Sequence, residues 1–121
     1  MLEVLVVDDD PGQLRIREMV LRNAGLAVQA AGSVESALAL LRADGERTGV
    51  VVTDHFLAER TGAELVRELR TSRPLMPVVV VSGMPGIEDE YEGLNVSFRQ
   101  KPFPPEELIG EVRRLLGIPA R

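Results

Sequence analysis

VLVVDDD, residues 4–10, is the stretch that decides how this chain folds. Four aliphatic residues, three of them β-branched, run without a polar break into three aspartates. Branching at Cβ favours extended backbone, and a short unbroken apolar run reads as a strand covered on both faces, as in a parallel sheet. The pattern recurs. Residues 50–53 lead into Asp54, and residues 78–81 lead into Ser82 and Gly83. Weaker strand candidates lie at 27–31 and at 96–99, the second just ahead of Lys101 and Pro102.

Helical patterns fall between these runs. Val34, Ala37, Leu38 and Leu41 are spaced i, i+3, i+4, i+7 behind a capping Ser33. Leu65, Val66 and Leu69 form a second face, opened by Thr61 and Glu64 at capping-box spacing. Leu108, Val112, Leu115 and Leu116 form another, with Pro105, Glu106 and Glu107 at its start and Arg113, Arg114 and Gly117 at its end, the polarity a helix dipole favours. Pro11–Asn23 reads as a helix closed by Gly25, with Ile16, Met19 and Val20 as its expected core contacts. Residues 86–93 carry two glycines and several acids, so a helix there is expected to reach two turns at most. Strand–helix alternation five times over predicts an α/β fold: a doubly wound five-stranded parallel sheet in the order 2-1-3-4-5, the flavodoxin-like arrangement, with a short or irregular fourth helix.

The chain has 121 residues, room for one domain spanning 1–121, and no cysteine for disulfides or thiolate sites. No apolar run is long enough to cross a membrane, and the start lacks a signal-peptide pattern. A net charge of −5 argues against direct nucleic-acid binding. These features suit the cytoplasm.

Ligands of open parallel sheets bind at the carboxyl ends of the strands. There the topology gathers Asp8, Asp9 and Asp10, then Asp54, Ser82 and Lys101. Crowded carboxylates repel unless a cation intervenes, and an all-oxygen set suits a hard ion such as Mg²⁺. Lysine and a hydroxyl can then answer the charge and the oxygens of a phosphoryl group, and a carboxylate beside a metal can attack phosphorus. Asp10 reads as a helix cap, His55 as a pocket-rim residue, and the acids at 88–92 as a solvated face.

With these motifs in order (VLVVDDD at 4–10, VVVTD at 50–54, Gly62, VVVVSG at 78–83 and KPF at 101–103) the chain resembles the response-regulator receiver family of two-component signalling over almost its whole length. The resemblance implies that Asp54 accepts the phosphoryl group. It implies that Asp9 binds Mg²⁺ directly, Asp8 mainly through water, and the Phe56 backbone carbonyl as a further ligand. Ser82 bonds the phosphoryl oxygen, Lys101 pairs with it or with Asp54, and Gly83 leaves room for the donor. Phe98 is the aromatic residue whose rotamer follows Ser82. Phe56 and Met84 stand where family side chains flank the hydrolytic water, which predicts a long-lived phosphoryl group. The implied partners are a histidine kinase or histidine phosphotransfer protein and a downstream protein effector, with room for a homodimer. Such a domain is no enzyme beyond assisting its own phosphorylation and dephosphorylation. Two departures stand out: Ala58 replaces the usual proline four residues after the acceptor, and the segment from Ser82 to Lys101 is short.

Rival readings fare worse. An aspartate-nucleophile phosphohydrolase needs a second acid where Phe56 stands. A flavin-binding domain needs a Ser/Thr/Gly phosphate loop after the first strand, where Asp8 to Asp10 repel phosphate. A receiver that has given up phosphorylation would normally lack one of Asp9, Asp54 or Lys101.

Overall fold

The computed structural model describes residues 2–44 and 46–118. Along the chain run β1 (Glu3–Val7), α1 (Pro11–Asn23), β2 (Val28–Ala31), α2 (Val34–Ala43), β3 (Thr48–Asp54), the two-residue strands β4 (Phe56–Leu57) and β5 (Arg60–Thr61), α3 (Gly62–Ser72), β6 (Val78–Ser82), a 3₁₀ turn at Glu88–Tyr91, β7 (Ser97–Gln100) and α4 (Pro105–Leu116). The main sheet is parallel, with strand order β2-β1-β3-β6-β7. Counting its own strands alone, that is the expected 2-1-3-4-5.

Alternation within β1 divides the core. Leu5 and Val7 point into one apolar layer with Val34, Leu38, Leu65 and Leu69, whereas Val4 and Val6 point into the other with Leu21, Leu108 and Val112. Helices α2 and α3 therefore cover one face, and α1 and α4 the other. Burial on both faces is why β1, β3 and β6 read as unbroken aliphatic runs.

The helix ends follow their local chemistry. Ser33 and Thr61 each close a capping box, with Ser36 and Glu64 respectively. Gly117 ends α4 in the left-handed conformation at φ 74°. Between β6 and β7 only one 3₁₀ turn forms, as the glycine-bearing spacer predicts. Its backbone is held from α3: Arg67 donates to the Glu90 carbonyl at 2.9 Å, and Arg70 to those of Leu94 and Asn95 at 2.8 and 3.0 Å.

One expectation is overturned in α1. Ile16 and Met19 are exposed and Val20 is only partly buried. The helix instead turns Leu14 and Leu21 inward, both against the second core layer. Those residues lie seven apart, and the position between them on the same face is Arg17. An arginine in the middle of the inward stripe hides the true face from a search for apolar spacing.

Candidate functional site

Strand ends place the acids. Asp8 directly follows β1 and Asp54 is the last residue of β3; the two strands are adjacent in register. Asp8 is 1% exposed and Asp54 6%, whereas Asp9 is exposed. Each of Asp8, Asp9 and Asp54 offers an oxygen within 4.8 Å of the others. Asp10 points elsewhere: it caps α1, accepting from the Gly12 and Gln13 amides at 2.9 and 3.4 Å. That is the cap role read from the sequence.

The cations converge on one oxygen. Lys101 Nζ pairs with Asp54 Oδ1 at 3.1 Å and donates a hydrogen bond to Gln13 Oε1 at 3.1 Å. Arg17 reaches the same Asp54 Oδ1 at 3.2 Å and stands 3.3 Å from Asp8 Oδ2. Neither Gln13 nor Arg17 was expected here from the sequence. Helix α1 is largely polar, and the only trace of Arg17's place is its spacing of three residues from Leu14 and four from Leu21.

Asp8 is under electrostatic stress. Its Oδ1 accepts from the Asp10 amide at 2.9 Å, but among the described residues its buried Oδ2 has no hydrogen-bond partner. Burial, then the neighbouring Asp54, push the Asp8 carboxyl up to about 6; the Asp10 amide and Arg17 oppose the rise without cancelling it. An orphaned buried carboxylate oxygen, within reach of two more carboxylates and no nitrogen or sulfur ligand, fits a hard divalent cation.

Ser82 ends β6, accepts from the Met84 amide at 3.1 Å, and through its carbonyl takes the Lys101 amide at 2.9 Å. The Lys101–Pro102 peptide is cis. Gly83 is exposed at the mouth of a cavity of about 650 Å³, which Asp8, Asp54, Phe56, Ser82, Met84 and Lys101 also line. Phe56 and Met84 are each 54% exposed there. The loop after Asp54 is a tight hairpin in which Phe56 pairs with Thr61 and Leu57 with Arg60. Ala58 sits in it at φ 61°, a conformation closed to the proline it replaces. Gly62 is required for closeness: an added Cβ would lie 2.6 Å from both the Asp54 carbonyl and the Tyr91 hydroxyl.

His55 is less open than expected of a rim residue. It is 2% exposed; Nδ1 bonds the Tyr91 hydroxyl at 2.8 Å and Nε2 lies 3.3 Å from Glu90. Tyr91 in turn meets Phe98 edge-on, ring centres 5.2 Å apart. Phe98 is half-buried at the end of this aromatic row, which links the loop beside Asp54 to the 3₁₀ turn and β7.

A model of the response regulator receiver domain matches residues 4–113. The chain belongs to the response regulator receiver family. It is 35% identical over 116 residues to the probable transcriptional regulatory protein TcrX of Mycobacterium tuberculosis, covering 93% of this chain and 49% of that protein. It thus spans about half the length of the curated relatives it matches. Among solved structures, a response regulator receiver protein from Sinorhizobium medicae superposes with a TM-score of 0.83 at 31% identity, covering 96% of this chain and 94% of that one. The chemotaxis protein CheY4 of Vibrio cholerae does so with 0.84 at 28%, covering 96% and 99%. Receiver domains are signalling modules of two-component systems, not conventional enzymes. Among the described residues no helix is long and apolar enough to cross a membrane.

Proposed function

We propose that residues 1–121 form one receiver unit that takes a phosphoryl group onto Asp54 with Mg²⁺ bound beside it. The donor is the phosphohistidine of a histidine kinase or histidine phosphotransfer protein, and the signal leaves by a change of shape read by a protein effector. The observation that carries this reading is the cluster itself. A buried Asp54 carboxylate ends the third strand of the chain, with Asp8 and Asp9 oxygens within 4.8 Å and Lys101 at 3.1 Å.

An Asp54 oxygen attacks phosphorus as the donor's P–N bond breaks, and the freed imidazole nitrogen takes up a proton. Lys101, already on Asp54, offsets the charge brought by the phosphoryl group. Ser82, at the end of the neighbouring strand, donates its hydroxyl proton to a phosphoryl oxygen. Asp8, Asp9, Asp54 and the Phe56 carbonyl would hold Mg²⁺, which when bound neutralises the carboxylates and polarises the phosphoryl oxygens. The aromatic row from His55 through Tyr91 to Phe98 supports a route from the acceptor loop to the surface around β7. Cytoplasmic placement and self-association into a homodimer belong to the same reading.

The test is labelling with acetyl phosphate in the presence of Mg²⁺, read by intact mass. The native chain gains one phosphoryl group and Asp54→Asn gains none. Equal labelling of the two would remove Asp54 from its role.

A further inference from the structure

Arg17 has no part in the reading above, yet it sits in the middle of the candidate metal site. The segment from Leu14 to Leu21 lies against the sheet, and Arg17 occupies the slot between two inward leucines, its side chain 14% exposed. A charge so placed needs compensation, and its compensation is the pair Asp8 and Asp54, at 3.3 and 3.2 Å. Both carboxylates are themselves buried and without it would confront each other with Lys101 as their remaining cation, and Lys101 reaches only Asp54.

The fit is incomplete in a telling way. Arg17 makes a hydrogen bond to Asp54 but only a charge contact to Asp8, whose Oδ2 stays without a hydrogen bond. The guanidinium therefore supplies charge to the cluster and leaves a coordination-ready oxygen bare. A divalent ion held by Asp8, Asp9 and Asp54 would take over the same oxygens and the same neutralising role. Lys101 contacts Asp54 alone and can stay there beside a divalent ion, whereas Arg17 stands against both Asp8 and Asp54, the two carboxylates the ion must share, so ion and guanidinium compete for one place.

The geometry points to Arg17 as a resident counter-ion that holds the metal-free pocket together and must leave Asp8 and Asp54 for a divalent cation to bind. This rests on the metal-dependent receiver reading proposed above. Arginine suits the part, being weakly hydrated and always charged, on a stem long enough to swing from the pocket to solvent. Arg17 thus acts through the acids and sets the Mg²⁺ concentration at which the site fills.

The experiment is a calorimetric titration of the metal-free chain with Mg²⁺ alone, for the native protein, Arg17→Gln and Arg17→Lys, with thermal melts of each with and without saturating Mg²⁺. Arg17→Gln is expected to bind Mg²⁺ at least tenfold more tightly than native, and Arg17→Lys to remain within about threefold of native because the charge persists. Arg17→Gln should also melt lower than native without metal, with the deficit closing when Mg²⁺ is added. In the native chain the Arg17 Nη1 protons, which bond Asp54, should exchange slowly with solvent when metal-free and at the rate of an exposed arginine at saturating Mg²⁺; this readout stands even if a variant fails to fold. Equal or weaker Mg²⁺ binding by Arg17→Gln, a melting deficit of the same size with and without metal, or Arg17 Nη1 protons indifferent to Mg²⁺ would each overturn the exchange while leaving the metal site in place. Absence of Mg²⁺ binding in native and variant alike would overturn both this inference and the metal-dependent reading.

Discussion

Two buried aspartates paired with arginines stand at opposite ends of the sheet, and they behave in opposite ways. Asp44, just before β3 at the amino end, takes the Glu46 amide at 2.7 Å, the Thr48 amide at 3.1 Å and two nitrogens of Arg73 at 2.6 and 3.3 Å. Burial pushes its carboxyl up, but these bonds outweigh burial and hold it well below the usual carboxylate range. Asp8, at the carboxyl end, is equally buried and also meets an arginine, yet one oxygen is unbonded and its carboxyl is pushed up to about 6. Burial is common to both; completeness of hydrogen bonding separates them. The amino end spends its polar groups on holding α2, β3 and α3 together. The carboxyl end leaves its carboxylate short of partners, the state in which a cation or a phosphoryl group gains most by arriving.

The largest effect expected from this contrast is at the amino end. Asp44→Ala strips two amides and Arg73 of their acceptor and should cost about 3 kcal/mol, a fall in melting temperature of about 10 °C. Asp54 should still label at temperatures where the variant is folded. Loss of labelling without loss of stability would break the division between the two ends.

Next comes Asp8→Asn, expected to raise metal-free stability by roughly 1 kcal/mol and to weaken Mg²⁺ binding. The pH dependences should run in opposite senses. Asp44, with its folded value depressed, stabilises above the unfolded value of 3.8 and loses that contribution as pH falls further. Asp8 releases its proton near 3.8 when unfolded but near 6 when folded, so across that window the folded state binds more protons and stability falls as pH rises. Metal-free melts between pH 4 and 6 should lose this downward slope in Asp8→Asn and keep it in Asp44→Asn. A slope unchanged by Asp8→Asn would contradict the stress assigned to Asp8.

The smallest effects belong to the cavity mouth. Phe56→Asn and Met84→Glu place polar groups where an incoming water can be oriented, and should speed decay of the phosphorylated protein several-fold, about 1 kcal/mol in barrier. Both side chains are more than half exposed, so the melting temperature should move by no more than about 2 °C. Decay rates that stay constant or fall would show that these residues do not shield phosphorus.

The strands of the sheet and the acids at their ends were legible because a strand buried on both faces leaves an unmistakable aliphatic run, and topology then carries Asp8, Asp9, Asp54, Ser82 and Lys101 to one rim. The weak fourth crossover was legible too, from its glycines. Arg17 and Gln13 were not. On a surface helix a polar residue ordinarily marks the solvent side, and only the three-dimensional position of the acids reveals why an arginine should face inward. The same misreading turned Ile16 and Met19 into core residues. His55 was placed at the rim because it follows Asp54, but its partner Tyr91 is 36 residues away, a separation no local pattern encodes.

The arginines of α3 also have a consequence for how such a chain can vary. Arg67 and Arg70 grip the carbonyls of Glu90, Leu94 and Asn95, groups that any amino acid would present in the same way. The course of the segment after β6 is thus recorded largely in a neighbouring helix. Its exposed side chains are free to drift through mutation, or to be exchanged by an engineer seeking a new partner, provided that the two arginines, the buried Ile87 and Tyr91, the positive-φ Gly86 and Gly93, and the bare space above Gly62 are kept. A face of this kind can change its contacts without redrawing its backbone.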